Sequence, residues 1–234
     1  MQLALSQSQR EWKELAAEWE EASPQAILRW TVERFGERLT LGTGLGPSGI
    51  VLIHMLREII PNPDIFFLDT GLHFEETYAL KRRVETQLEV RIRALHPVQS
   101  VAEQAAKHGP ALWDRDPNHC CYLRKVTPLR NYLADFDGWL TAVRRDQGST
   151  RANLPIVRYV NAYGVVKVCP LATWTREMVW TYLNVHELPF NPLHSRGYSS
   201  ISCAPCTQPV APGDGERAGR WMGFAKVECG LHTV

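Results

Sequence analysis

The sequence predicts an α/β protein: a doubly wound, mainly parallel sheet with helices on both faces, in one domain over residues 1–234. Three observations predict it. Short apolar runs alternate with stretches whose apolar residues recur at helical spacing, and such alternation builds a parallel sheet covered on both sides. A glycine-rich loop, Gly44-Leu45-Gly46-Pro47-Ser48-Gly49, joins the first run to the helix after it. The composition, 44% apolar and 22% charged, supplies a core and excludes wholesale disorder.

Along the chain, residues 1–36 read as one or two helices, because Trp12, Leu15, Ala16 and Trp19, then Ile27, Leu28, Val32 and Phe35, recur at helical spacing. Ser23-Pro24 reads as a cap and first-turn proline for the second. Strands are expected at 39–43, 64–68, 90–95 and 139–143, and helices at 50–60, 74–88, 122–133 and 175–184. Residues 156–168 read as a hairpin turning near Ala162-Tyr163-Gly164. Glycine and proline around 209–215 predict that 207–234 is a mobile tail.

Charge narrows the function. Lys plus Arg is 26 and Asp plus Glu 25, and a net charge of +1 does not describe a polyanion-coating protein. Nucleic acid is therefore not an expected partner, and any basic site must be local. No apolar run approaches the ~20 residues of a membrane span, and the acidic, amphipathic start is not a secretory signal. A cytoplasmic protein with no membrane partner is expected. Its six cysteines then stay reduced, and their grouping favours metal or redox chemistry over a disulfide framework.

The glycine loop follows a strand and opens a helix, where free amides hold anions and glycine lets the backbone approach. Gly44, Gly46, Ser48 and Gly49 are the expected anion-holding positions, although a tight turn alone would also use glycine. The loop fits G-x-G-x-x-G, and Asp69 lies 20 residues past Gly49, which is formally a dinucleotide fingerprint. An NAD-dependent oxidoreductase is therefore one rival reading. No Gly-Lys-Ser/Thr follows, so this is not a Walker A loop. Asp69, Thr70 and Gly71 end the next strand, where they would hold ribose or base, or merely cap the following helix.

Cys120-Cys121 and the CxxC of Cys203 and Cys206 together supply four thiolates. Zinc is the plain choice, but it needs sulfurs ~3.8 Å apart around bonds of ~2.3 Å. Adjacent helical residues point apart, so the vicinal pair leans toward an iron–sulfur cluster, whose separated irons accept thiolates set farther apart. A zinc or DNA-binding module is the second rival. Cys169 reads as a small core residue. Cys229, in Glu228-Cys229-Gly230-Leu231-His232, is a candidate nucleophile beside a histidine.

Taken together these residues resemble the assimilatory adenylyl-sulfate (APS) and phosphoadenylyl-sulfate (PAPS) reductase family. The resemblance runs from Gln25 to His232. It includes the phosphate loop at 43–54, the LDTG at 68–71, Arg144-Arg145-Asp146-Gln147, Lys167-Val168-Cys169-Pro170-Leu171, Leu188-Pro189-Phe190-Asn191-Pro192-Leu193-His194, and the ECG-x-H ending. It departs at Gly44, where many members carry serine or an acid, and at Leu72-His73, where many carry arginine.

The resemblance implies an adenine-nucleotide α-hydrolase-like fold. It implies one 4Fe-4S cluster on Cys120, Cys121, Cys203 and Cys206, which marks the branch that mostly uses APS. It implies sulfite and AMP as products through an S-sulfonate on Cys229, with thioredoxin or a similar dithiol as reductant. PAPS reduction is the alternative within the family, and a homo-oligomer is left open. The cations expected to meet the substrate are Lys125, Arg144, Arg145, Arg151, Arg217 and Arg220, and His232 is expected to favour the Cys229 thiolate.

Overall fold

The computed structural model of the chain describes residues 7–232, so residues 1–6 and 233–234 of the predicted N-terminal helices and tail lie outside it. The N-terminal segment forms α1 (Gln7–Glu18) and α2 (Pro24–Phe35). Ser23 accepts the amide of Ala26 and Pro24 opens the helix, as its sequence predicts.

There follow β1 (Leu39–Thr43), α3 (Pro47–Arg57), β2 (Ile65–Leu68), α4 (Glu75–Gln87) and β3 (Ile92–Leu95). Three short helices come next, α5 (Val101–His108), α6 (Leu112–Arg115) and α7 (Pro117–Cys121), where the sequence had marked no element. The expected helix at 122–133 is a π-helical stretch, Tyr122–Val126, running into α8 (Thr127–Leu133). The chain then forms β4 (Gly138–Thr141), the hairpin β5 (Val157–Val160) and β6 (Val165–Val168), and α9 (Arg176–Val185). α3 starts earlier than its apolar spacing suggests because Pro47 fits a first helical turn, where no amide is needed.

The six strands order as β3-β2-β1-β4-β6-β5. All neighbours are parallel except β5 and β6, which pair antiparallel at one edge. The alternation of side chains divides the core between two faces. Leu41, Ile65, Phe67, Leu140, Val166 and Val168 enter the larger cluster with α2, α3, α4 and α9. Phe66, Trp139 and Val165 point the other way, into a smaller cluster with Leu129 and Leu133 of α8. Leu231, at the end of the tail, packs on that second cluster, so the tail helps to cover the sheet. Among the described residues no helix is long and apolar enough to cross a membrane.

Candidate active site

Chain direction across the sheet reverses at β1: β2 and β3 lie to one side, and the chain returns to β4 on the other. Ligands of open α/β sheets bind at such a switch point, beyond the strand C-termini. A cavity of about 240 Å³ opens there, against Gly42 and Thr43 of β1, Phe67 and Leu68 of β2, and Trp139 and Thr141 of β4.

The loop after β1 forms one wall. Thr43 Oγ1 accepts the Leu45 amide at 3.0 Å, and Leu45, at φ 56°, takes the left-handed conformation of the turn. A Cβ added to Gly44 or Gly46 would meet nothing within 4 Å, whereas one on Gly49 would lie 2.5 Å from Thr43 Oγ1. The first two glycines thus keep space open beside the N-terminus of α3, and the third lets the helix close on the strand. Gly44, Gly46, Ser48 and Gly49 all line the cavity.

The predicted cations separate into groups. Lys125, Arg151, Arg217 and Arg220 line the cavity, and so does Arg176, which the sequence reading passed over. Lys125 is buried and donates to Ser202 Oγ at 2.9 Å. Burial works against its charge, but the sulfurs of Cys203, Cys229 and Cys121 outweigh that and hold its pKa above the ordinary value. Burial, then the neighbouring Arg151, brings Arg217 down to about 10, so it stays charged at neutral pH. Arg144 also faces the cavity, but its charge is already met. It bonds Asp146 at 2.9 Å, Glu216 at 2.7 Å and the hydroxyl of Ser48.

Four expected substrate contacts lie off the cavity wall. Arg145 turns outward, with both terminal nitrogens 2.7 Å from the Glu20 carboxylate and Nε on Leu154 O. Asp69 accepts the Gly71 amide at 2.9 Å and the Tyr78 hydroxyl at 2.7 Å, both on Oδ1, and does not line the cavity, where the dinucleotide reading required it. Thr70 is fully buried, with its hydroxyl 3.2 Å from Cys203 Sγ. Gly71 sits against Arg124, whose guanidinium bonds Thr70 O at 2.6 Å and Gln104 Oε1 at 3.0 Å. Leu68 of the LDTG thus lines the cavity, while Asp69, Thr70 and Gly71 back the cysteine region.

The tail is packed, contrary to its composition. Glu228 is buried and takes Arg151 Nε at 2.7 Å, Arg151 Nη2 at 2.9 Å and Arg217 Nη2 at 3.1 Å. The next residue, Cys229, reaches the cavity wall as a free thiol. His232 also lines the cavity and stacks on Trp139, with ring centres 5.6 Å apart and planes 18° apart. Desolvation, then the charges of Lys167, Arg151, Arg217 and Arg158, push its pKa well below the usual imidazole value. The packed site thus favours the neutral ring of His232.

The other predicted sulfurs converge as a group. Cys120, Cys121, Cys203 and Cys206 line one small cavity with Trp113, Arg124 and Lys125. Burial, then the neighbouring Cys121, raises the Cys120 thiol to about 11. Burial, then Cys203, raises Cys206 to about 12. Cys203 differs: burial opposes its thiolate too, but the charge of Lys125 and the Thr70 hydroxyl outweigh that and lower its pKa below the ordinary thiol value. Among the described residues no set of three or more His, Cys, Asp or Glu is placed to hold a metal ion. Lys125 borders both cavities. Cys169 is buried apart from both, 3.3 Å from Thr141 Oγ1, as a core residue should be.

Sequence reasoning passed over Lys167, Glu216 and Glu228 as individual groups. Lys167 left a signal, a lone charge in the apolar run Val165-Val166-Lys167-Val168. Glu228 left one as the first residue of the ECG-x-H ending, and Glu216 left none, because only the folded tail gives it its arginine partner.

Comparison with known proteins agrees with this architecture. Residues 38–209 match the sequence profile described as the phosphoadenosine phosphosulfate reductase domain. A Salinibacter ruber protein named adenosine 5'-phosphosulfate reductase is 50% identical over 220 residues, or 94% of this chain and 87% of that protein. A Gloeobacter violaceus protein named phosphoadenosine 5'-phosphosulfate reductase is 46% identical, over 99% of this chain and 98% of that one. The crystal structure of a phosphoadenylyl-sulfate reductase from Candida auris, in a phosphate complex, superposes with a TM-score of 0.73 at 30% identity, covering 90% of this chain and all of that one. Candida glabrata FMN adenylyltransferase with ATP, at 13% identity and a TM-score of 0.58 over 97% of this chain and 78% of that one, shares the fold alone.

Proposed function

Because the chain belongs to the phosphoadenosine phosphosulfate reductase family, we propose that it is an adenylyl-sulfate reductase of assimilatory sulfate reduction, with Cys229 as nucleophile and a dithiol such as thioredoxin as reductant. One observation carries the assignment of the nucleophile. Cys229 borders the cavity together with Lys125, Arg217 and Arg220, while four other cysteines gather around a separate space.

The chemistry follows from that arrangement. The Cys229 thiolate attacks the sulfate sulfur of APS, forming an S–S bond as the sulfur–oxygen bond to the phosphate breaks, and AMP leaves with that electron pair. Lys125, Arg217 and Arg220 offset the charge of the phosphosulfate, each as a charged donor. A thiolate of the dithiol then attacks Cys229 Sγ and releases sulfite, and the second thiol of the reductant frees Cys229. The dithiol supplies both electrons. APS is the preferred substrate of this reading, supported by the naming of the Salinibacter ruber relative. PAPS, giving adenosine 3',5'-bisphosphate, is the second reading, supported by that of the Gloeobacter violaceus relative.

Cys120, Cys121, Cys203 and Cys206 are the residues that would hold one 4Fe-4S cluster. Their common cavity supports it, and a cuboidal frame suits the thiolates of a vicinal pair and a CxxC better than one ion does. When bound, the cluster would supply irons that take up thiolate charge beside Lys125. The free state of all six cysteines supports a reducing, cytoplasmic setting.

Cys229→Ser should keep its iron and bind APS yet release no sulfite. Wild-type protein given APS without reductant should gain one sulfonate, ~80 Da, on the C-terminal peptide. Sulfite release from APS and PAPS, side by side with thioredoxin, separates the two substrate readings. Turnover by the serine variant, or an adduct on Cys169, would overturn the choice of nucleophile.

A further inference from the structure

The reaction described above gives no task to Lys167. It lies on β6, on the sheet face that carries Trp139 and Val165, and is 1% exposed. Its Nζ is 3.0 Å from His232 Nδ1 and 5.2 Å from the centre of the Trp139 ring. Arg158, opposite Lys167 on β5, donates to the His232 carbonyl at 3.1 Å. Three neighbouring strands therefore meet the end of the tail with a stacking ring and two cations.

A buried ammonium is costly and is retained only where it is partnered. An apolar side chain would fill the same volume, but it would not orient an imidazole. Orientation matters because Gly230, at φ 85°, separates His232 from Cys229 in a turn that glycine leaves pliant. The position of the Cys229 sulfur must then be imposed from outside the turn. Glu228 fixes one side of it and His232 the other.

We propose that Lys167 is a positioning residue for the nucleophile: its hydrogen bond to His232 Nδ1 fixes the last turn of the tail and so sets Cys229 on the cavity wall. This rests on the reading of Cys229 given above. A lysine ammonium has donors and no acceptor, so His232 Nδ1 must accept, and the imidazole proton resides on Nε2. The protonation states agree. Burial brings Lys167 down to about 8, with Cys169, Arg158, Arg151 and Cys229 as the charged or titratable groups facing it, so it remains mostly protonated at neutral pH beside a neutral His232.

A double-mutant cycle on the iron-loaded enzyme tests this, with Lys167→Met, His232→Phe (which keeps a ring over Trp139 but loses the acceptor) and the double variant. The first readout needs no substrate: the rate of Cys229 alkylation by iodoacetamide, followed on the C-terminal peptide by mass spectrometry. The second is kcat and KM for APS. Each single variant should speed alkylation and lower kcat ~10- to 100-fold, the scale of a misplaced reacting group, with KM little changed. The double variant should be no worse than either single one. Additive losses, or wild-type alkylation and kcat in Lys167→Met, overturn the proposal. If Lys167→Met does not fold, Lys167→Gln replaces it in the same cycle, judged by the same non-additivity. The alkylation readout stands even if Cys229→Ser turns over, so a failure of this inference is distinguishable from a failure of the proposed nucleophile.

Discussion

Arg145 and Arg217 look alike in the sequence, and their partners separate them. Arg145 spends its guanidinium on Glu20 at a partly exposed site, and such pairs contribute about 0–1 kcal/mol. Arg217 shares the buried Glu228 carboxylate with Arg151, but it also stands on the cavity wall beside Arg220, whose guanidinium carbon lies 4.4 Å above the Trp221 ring. A charged hydrogen bond to substrate is worth ~1.5–3 kcal/mol. Arg217→Ala and Arg220→Ala should therefore each lower kcat/KM for APS by ~10- to 150-fold, while Arg145→Ala should stay within a factor of ~3. Steady-state kinetics decides it, and equal losses in all three variants would refute the sorting. The sequence showed which residues carry charge but not which charges are already taken. Arg144 and Asp69 were legible as charged residues, but it was not legible that Arg144 faces the cavity with its charge met by Asp146 and Glu216, nor that Asp69 lies off the cavity wall. Cys229 and the vicinal cysteines were legible because their chemistry is in the residue type and spacing.

Among the elements, long periodic helices and buried strands were readable because one apolar stripe or run determines each. α5, α6 and α7 were not, since helices of one or two turns show little periodicity and depend on packing. α5 did carry a local signature, the capping box of Ser100 and Glu103. The packing of the tail was hidden for another reason. Its glycines and prolines do preclude a helix, yet ion pairs and a stacked ring hold it without one. That mode of attachment is sensitive to acid. In Glu228 burial opposes the charge, but hydrogen bonds and charge from Arg151 win, so its pKa is lowered from 4.5. The stabilisation it gives is present above that value and is lost as pH falls through the lower folded-state pKa. His232 acts in the same direction, because its pKa is lowered from 6.5 and the docked state resists the proton that a released tail accepts. Limited proteolysis within residues 216–232 should thus quicken as pH falls below 6.5, through His232, and further below 4.5, through Glu228, while cleavage elsewhere changes less. Unchanged protection would show that other contacts hold the tail.

At the scale of the molecule, the cysteine cavity joins chain segments that are remote in sequence, α7 and the turn at Ala204–Cys206. Replacing Cys203 with serine should remove iron and activity together, as measured by iron and sulfide content beside sulfite release. A fully active, iron-free variant would refute the cluster. The parallel sheet was legible from β/α alternation, but its strand order was not, because order depends on which way each crossover turns. That order sets how closely the layers meet. A Cβ on Gly42 would lie 2.7 Å from Phe66 and 2.8 Å from Trp139, the ring under His232. Gly42→Ala should accordingly lower the melting temperature and loosen the tail, seen as faster Cys229 alkylation.

The edge strand β5 leads to a further consequence. It carries Arg158, which grips the tail, and its other neighbour is α1, which packs across it and buries Trp12 and Ala16. The first helix is thus a brace in a load path that ends at the tail carrying Cys229, although it contributes no group to the cavity wall. A protein shortened to begin at Pro24 would leave β5 as an open edge, and open edges recruit strands from other chains. Such a truncation should still bind AMP at the intact loop, but turn over slowly and self-associate as its concentration rises.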